Sequence, residues 1–178
     1  NISSKGNQTI RAESLRNESF GNTQAVITSE GTTDVETKNN LENISGKISG
    51  KQGLKVVSTE GQIHNTTKLL DESTLGMQAS LETEGDLTVR AKGDIINKAG
   101  KIASKGNAEI ISETGDLLNL TQTTKKTSTE SSGSHQDGFW DSEHKTSTTT
   151  HTSTEHAVSS IEIGKNLTMK AREITFMG

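Results

Sequence analysis

The 178-residue sequence contains no cysteine and no proline. Without cysteine there is no disulfide framework and no thiolate metal site. A long exported chain that must stay unfolded in transit also gains from lacking disulfides, so this absence does not argue for the cytosol. Without proline no strand ladder loses a donor, which suits continuous β-pairing. Aromatic residues make up only 2% of the chain and apolar residues 27%, well below the usage of ordinary globular domains. A wide core rich in Phe and Leu is thereby excluded. No apolar run exceeds three residues, so there is neither a membrane-spanning helix nor a signal-peptide core. The net charge is −4, with both signs interspersed, and no basic stripe of the kind that binds nucleic acid is present. The chain begins at Asn1 with neither Met nor a targeting segment and reads as an excised fragment.

Two readings suit so thin a supply of apolar side chains: disorder, or a narrow core shared along a repetitive stack. The pattern favours the stack. Ile, Leu and Val recur in short alternating runs, as in Leu87, Val89, Ala91 and again in Leu167, Met169, Ala171. Period two puts one face of a strand inside. The stretch from Gly46 to Asn65 aligns without gaps on that from Gly100 to Asn119, an offset of 54 residues (100 − 46). The phrase Ile2–Asn7 returns at Ile102–Asn107. Gly-Asp, Gly-Asn and Glu-Gly steps close the strands, where positive φ is expected. The inferred unit is a strand, a turn, a second short strand and a turn. Coiling such units lets every strand pair in parallel with its successor and satisfies the backbone everywhere except at the ends. The expected fold is all-β, a right-handed parallel β-helix of about six coils over residues 1–178.

Two segments interrupt the rhythm. Residues 66–83 form an irregular insertion carrying Leu69, Leu70, Leu75, Met77 and Leu81. Residues 121–160 are rich in Thr, Ser, Lys, Glu and His, with Asp137-Gly138 as a hairpin-turn signal. They are expected to form an extruded β-hairpin, the alternative being a disordered polar loop. Phe139 and Trp140 fall at its predicted tip. They are the candidate binding residues, either as an exposed contact point or as rings folded back for local packing.

No catalytic residue, metal site or cofactor is assigned. Of the five histidines (His64, His135, His144, His151, His156), four lie in the polar excursion. His151 and His156 are five apart and face opposite sides of a strand, which argues against a shared metal. Asn-x-Ser/Thr triplets, such as Asn43-Ile44-Ser45 and Asn166-Leu167-Thr168, are better explained by asparagines stacked at coil corners than by glycosylation.

GDLTVRAKGDI (from Gly85), KNLTMKAREI (from Lys165), GKIASKGNAEI (from Gly100) and the polar excursion with its Ser159–Thr168 return together resemble the haemagglutinin-repeat region of filamentous haemagglutinin-like exoproteins. These are exported by two-partner secretion and include contact-dependent growth inhibition exoproteins. The resemblance covers essentially the whole chain. It implies a right-handed parallel β-helix on the exterior of a Gram-negative cell, exported by a dedicated outer-membrane transporter. The implied role is adhesion to a target-cell receptor or glycan, or delivery of a C-terminal toxin to a neighbouring cell. The family's secretion domain and toxin have no counterpart in this sequence. The competing expectation is a carbohydrate-active β-helix enzyme, a lyase or glycosidase, and the shortage of aromatics for sugar stacking weighs against it. The open end coils of such a fragment also offer end-to-end self-association.

Overall fold

The computed structural model describes residues 1–134 and 145–177. It is a parallel β-helix in which each coil contributes three strands. Coil 1 is β1 (Ile2–Ser4), β2 (Gln8–Ala12) and β3 (Leu15–Glu18). Coil 2 is β4 (Val26–Ser29), β5 (Thr32–Thr37) and β6 (Leu41–Ile44), and coil 3 is β7 (Lys47–Gly50), β8 (Gly53–Ser58) and β9 (Ile63–Thr66). Coil 4 is β10 (Ser80–Thr83), β11 (Asp86–Ala91) and β12 (Ile95–Lys98), and coil 5 is β13 (Lys101–Ser104), β14 (Ala108–Ser112) and β15 (Leu117–Leu120). A hairpin of β16 (Gln122–Ser134) and β17 (Lys145–Ala157) follows, then coil 6 with β18 (Ser160–Ile163), β19 (Leu167–Lys170) and β20 (Ile174–Met177). The first, second and third strands of the coils build three parallel six-stranded sheets. Five interstrand steps make the stack about 24 Å long.

The expectation of two strands per coil is corrected to three. The third strand escapes a periodicity reading because its inward positions are one apolar residue and one asparagine, for example Leu41 and Asn43, or Ile95 and Asn97. The offset of 54 residues spans two coils, from Ile48 in β7 through Leu81 in β10 to Ile102 in β13. Residues 66–83 likewise divide: Thr66 ends β9, 67–79 leave the stack, and 80–83 are β10.

Inside, like side chains lie over like. Ile27, Ile48, Leu81 and Ile102 form one column in register, and Val35, Val56, Val89 and Ile110 another. All eight are buried. The third sheet carries Leu41, Ile63, Ile95 and Leu117 beside a ladder of asparagines. Each asparagine amide donates to the carboxamide oxygen of the next: Asn17 to Asn43 at 2.8 Å, Asn43 to Asn65 at 2.7 Å, Asn65 to Asn97 at 2.8 Å and Asn97 to Asn119 at 2.7 Å. A buried amide is costly unless every donor and acceptor is paired. The ladder pairs them between coils and adds intra-corner bonds, such as Asn43 to the Gly46 carbonyl at 2.8 Å. The ladder ends where Phe176 lies opposite Asn119.

The same corner explains four of the Asn-x-Ser/Thr triplets, those at Asn17, Asn43, Asn65 and Asn119. Two positions after the ladder asparagine, the side chain again faces inward. There Ser19 accepts the amide of Ala25 at 2.9 Å, and Thr67 accepts that of Ala79 at 3.0 Å. In the segments 19–25 and 67–79 the hydroxyl at the first residue thus ties down the last, whereas the Thr121 hydroxyl donates to the Met177 carbonyl at 3.3 Å. Asn43, cited above as a stacked corner asparagine, is in the ladder, and Asn166 stacks at another corner, donating to the Asn107 carboxamide oxygen at 3.0 Å.

Glycine serves a different purpose from the one expected. Among the described glycines only Gly21 has positive φ (57°); the left-handed residues at the tight corners are Ser45 (52°) and Ala99 (48°). The glycines after them allow close approach. A Cβ on Gly100 would sit 2.6 Å from Asn65 Nδ2 and 2.8 Å from the Asn65 carbonyl oxygen. Gly100→Ala is therefore expected to cost about 1–3 kcal/mol by forcing the ladder apart, measurable as a lowered urea midpoint with an unchanged slope.

Candidate interaction surface

All departures from the stack in the described structure lie at one corner, between the third strand of one coil and the first strand of the next. Coils 2 and 4 turn there in two residues, Ser45-Gly46 and Ala99-Gly100. Coils 1, 3 and 5 instead send out residues 19–25, 67–79 and 121–159. The excursions alternate with tight corners, and they touch. The Gln24 side chain donates to the Gln78 carbonyl at 3.2 Å, and the Lys125 amide to the Glu72 carbonyl at 2.8 Å. Lys68 and Glu18 pair at 2.8 Å, and with Arg16 they hold the Glu18 carboxyl below its ordinary range. Sequence reading marks two interruptions. The first excursion escaped it because seven residues around Gly21-Asn22 resemble one more coil turn.

This edge also exposes apolar side chains. Phe20 is 91% exposed and Val158 61%, with Leu70 and Met77 less so. In the interior of a coil each would be buried, so their exposure belongs to the excursions rather than to the scaffold. Phe139 and Trp140, the residues singled out from sequence, lie outside the described residues, as does the Asp137-Gly138 turn.

The hairpin is the largest excursion. β16 and β17 pair antiparallel over 13 residues, from Gln122 with Ala157 to Ser134 with Lys145. At about 3.4 Å per residue it reaches roughly 40 Å, further than the coil stack is long. Most of its exposed threonines share one face. Thr123, Thr127, Thr129, Thr148, Thr150, Thr152 and Thr154 occupy positions there beside Lys125 and His156, while Lys126, Glu130, Thr149, His151 and Glu155 lie on the other. His151 and His156 fall on opposite faces, and His156 Nδ1 lies 3.2 Å from the Thr123 hydroxyl. Among the described residues no three metal-ligating side chains converge.

A second feature runs along the outside of the first sheet. A groove of about 660 Å³ is lined by Ser49, Lys47, Glu82, Lys101, Ala103 and Glu162, among others. Small residues at Ser49 and Ala103 leave its floor low. Lys47 pairs with Glu82 at 2.8 Å and Lys101 with Glu162 at 3.0 Å. Lys101 holds the Glu162 carboxyl below the usual range, the opposite of what a proton-donating acid needs. On the flank of this groove the residue after the first strand alternates in sign over coils 1 to 5, Lys5, Glu30, Lys51, Glu84 and Lys105, and is Gly164 in coil 6. Lys105 and Glu84 are 3.1 Å apart. The groove was not legible in advance, because its members come from five coils and become neighbours only once the register is known.

Comparison of the chain with protein-family models, with curated proteins and with solved structures returns no match.

Proposed function

We propose that the chain is a non-enzymatic segment of a large bacterial surface exoprotein, a rigid rod that holds contact elements along one edge. The rod serves either adhesion or the presentation and delivery of a C-terminal toxin to a neighbouring cell. The observation that supports this reading is the alternation of excursions and tight corners on a single edge of the stack. The columns of Ile, Val and Asn repeat from coil to coil and offer nothing to tell one partner from another, whereas residues 19–25, 67–79 and 121–159 differ in length, charge and exposed apolar groups. On this reading the partners are a receptor or glycan on the target cell and a dedicated outer-membrane transporter for the parent protein, with no nucleic acid and no cofactor involved.

The test trims the largest excursion. Replacing residues 121–159 by Ala-Gly, the corner used at Ala99-Gly100, leaves the coils their own columns. The trimmed chain is expected to keep its β-rich circular dichroism and lose binding to target cells at least tenfold. Binding equal to that of the intact chain would place recognition on the rod and overturn the reading.

The groove on the first sheet supports a second reading, a carbohydrate-active β-helix enzyme, because it is elongated and carries the carboxylates Glu82 and Glu162. Cleavage of an acidic polysaccharide that Glu162→Gln abolishes would establish it.

A further inference from the structure

We infer that β17 is a self-complementary edge that joins two copies of this chain, strand to strand, about a two-fold axis at Thr150. Three observations carry this.

The first is which backbone groups are free. The Lys125 amide donates to Glu72, outside the hairpin. Lys125 therefore sits in a pair whose backbone groups point away from the partner strand, and its opposite number is Thr154. Because such pairs alternate along an antiparallel ladder, Thr148, Thr150, Thr152 and Thr154 all turn their amides and carbonyls out of the edge of β17. Among the described residues none of these groups has a backbone partner outside the hairpin. Over residues 125–132 and 148–156 both faces of the hairpin are exposed. A two-stranded ribbon standing alone is marginal in water, so added strands stabilise it.

The second is the order of residues. Read outward from Thr150 in both directions, β17 meets Thr149 and His151, Thr148 and Thr152, Ser147 and Ser153, Thr146 and Thr154. It ends on Lys145 and Glu155, which carry opposite charge. An isologous antiparallel pair sets each residue against one from the reversed strand, so the strand must be compatible with its own reverse. In this register Thr148 faces Thr152 of the second copy and Thr150 faces its own counterpart. The outward groups fall opposite one another as hydrogen-bonded pairs, and Lys145 takes the position opposite Glu155. Natural edges usually carry a lysine, proline or bulge to prevent such pairing. Between Lys145 and Glu155 this edge has no lysine, arginine, carboxylate or proline. The opposite edge is less suited: β16 is covered at its base by Glu72 and carries Lys125, Lys126 and Glu130.

The third is space. Pairing centred on Thr150 runs the two hairpins in opposite directions. The two coil stacks then lie beyond opposite ends of a four-stranded sheet, about 45 Å apart.

The test is sedimentation equilibrium of the full chain over a range of concentrations, with amide hydrogen exchange at Thr148, Thr150 and Thr152. A monomer–dimer equilibrium is expected, with those amides gaining protection as the dimer forms. T148K/T152K sets lysine against lysine twice and is expected to abolish the dimer. T148E/T152K sets each glutamate against a lysine of the second copy and is expected to retain it. Thr150→Pro removes only outward-pointing donors, so the hairpin persists while the dimer weakens about tenfold or more. A chain monomeric at every concentration overturns the inference. So does a dimer that T148K/T152K leaves intact, as one joined through the open end coils would be. Loss of the dimer in T148E/T152K as well overturns the register.

Discussion

Replacing Asn65 by aspartate is expected to destabilise the chain by about 3–5 kcal/mol at neutral pH, the range for an uncompensated buried charge. Asn65 is 1% exposed. Its amide donates to Asn97 Oδ1 at 2.8 Å and to the Lys101 carbonyl at 3.1 Å. A carboxylate there keeps the bond from Asn43 but turns a negative oxygen on these two acceptors and on the Ala79 carbonyl. Burial and those acceptors raise the aspartyl pKa in the folded state above its unfolded value of about 3.9. The sign follows: below the unfolded pKa the acid is neutral in both states and the ionisation cost is absent. The cost grows as pH rises past that value and levels off above the folded pKa. Asn65→Ala, which leaves ladder neighbours unpaired but adds no charge, is expected to cost about 1–3 kcal/mol with no such pH dependence. Urea unfolding of the two variants at pH 4 and pH 7 checks both statements.

Leu81→Ala is expected to cost about 2–5 kcal/mol, whereas Leu15→Ala costs about 1 kcal/mol. Leu81 is fully buried between Ile48 and Ile102, in the middle of its column. Leu15 is only partly buried at the first coil, with Leu41 on one side and no coil on the other. In a stack, stability is a sum of coil and junction contributions. A cavity in coil 4 weakens two junctions, and one in coil 1 weakens a single junction already open to water. Thermal unfolding of the two variants compares them directly.

These expectations rest on columns that sequence reading found only in part. The strands that alternate apolar with polar, such as β11 and β19, announce themselves. The third strand of each coil does not, because Asn43 or Asn97 inside reads as a surface residue until a second asparagine is laid over it. The requirement for glycine was legible but its cause was not, since Gly100 answers to a contact made by a different coil. The hairpin was foreseen from composition and a turn signal. Its reach, its Thr face and the excursion at 19–25 depend on registers that no local pattern carries. The groove and the shared edge of the excursions are likewise properties of stacking.

The alternating flank of Lys5, Glu30, Lys51, Glu84 and Lys105 bears on how such a chain keeps count of its own coils. The columns inside are so alike that a coil laid one place too far along would still find Ile over Ile and Asn over Asn. At the flank that error sets Lys51 on Lys5, or Glu84 on Glu30. Each such contact is worth under about 1 kcal/mol, but it recurs at every displaced junction and always with the same sign. A displacement by two coils restores opposite charges and also restores the order of tight corner and excursion. Over coils 1 to 5 the array thus has a parity: a change by a pair of coils keeps opposite charges facing at the flank, and a change by a single coil sets like charges together.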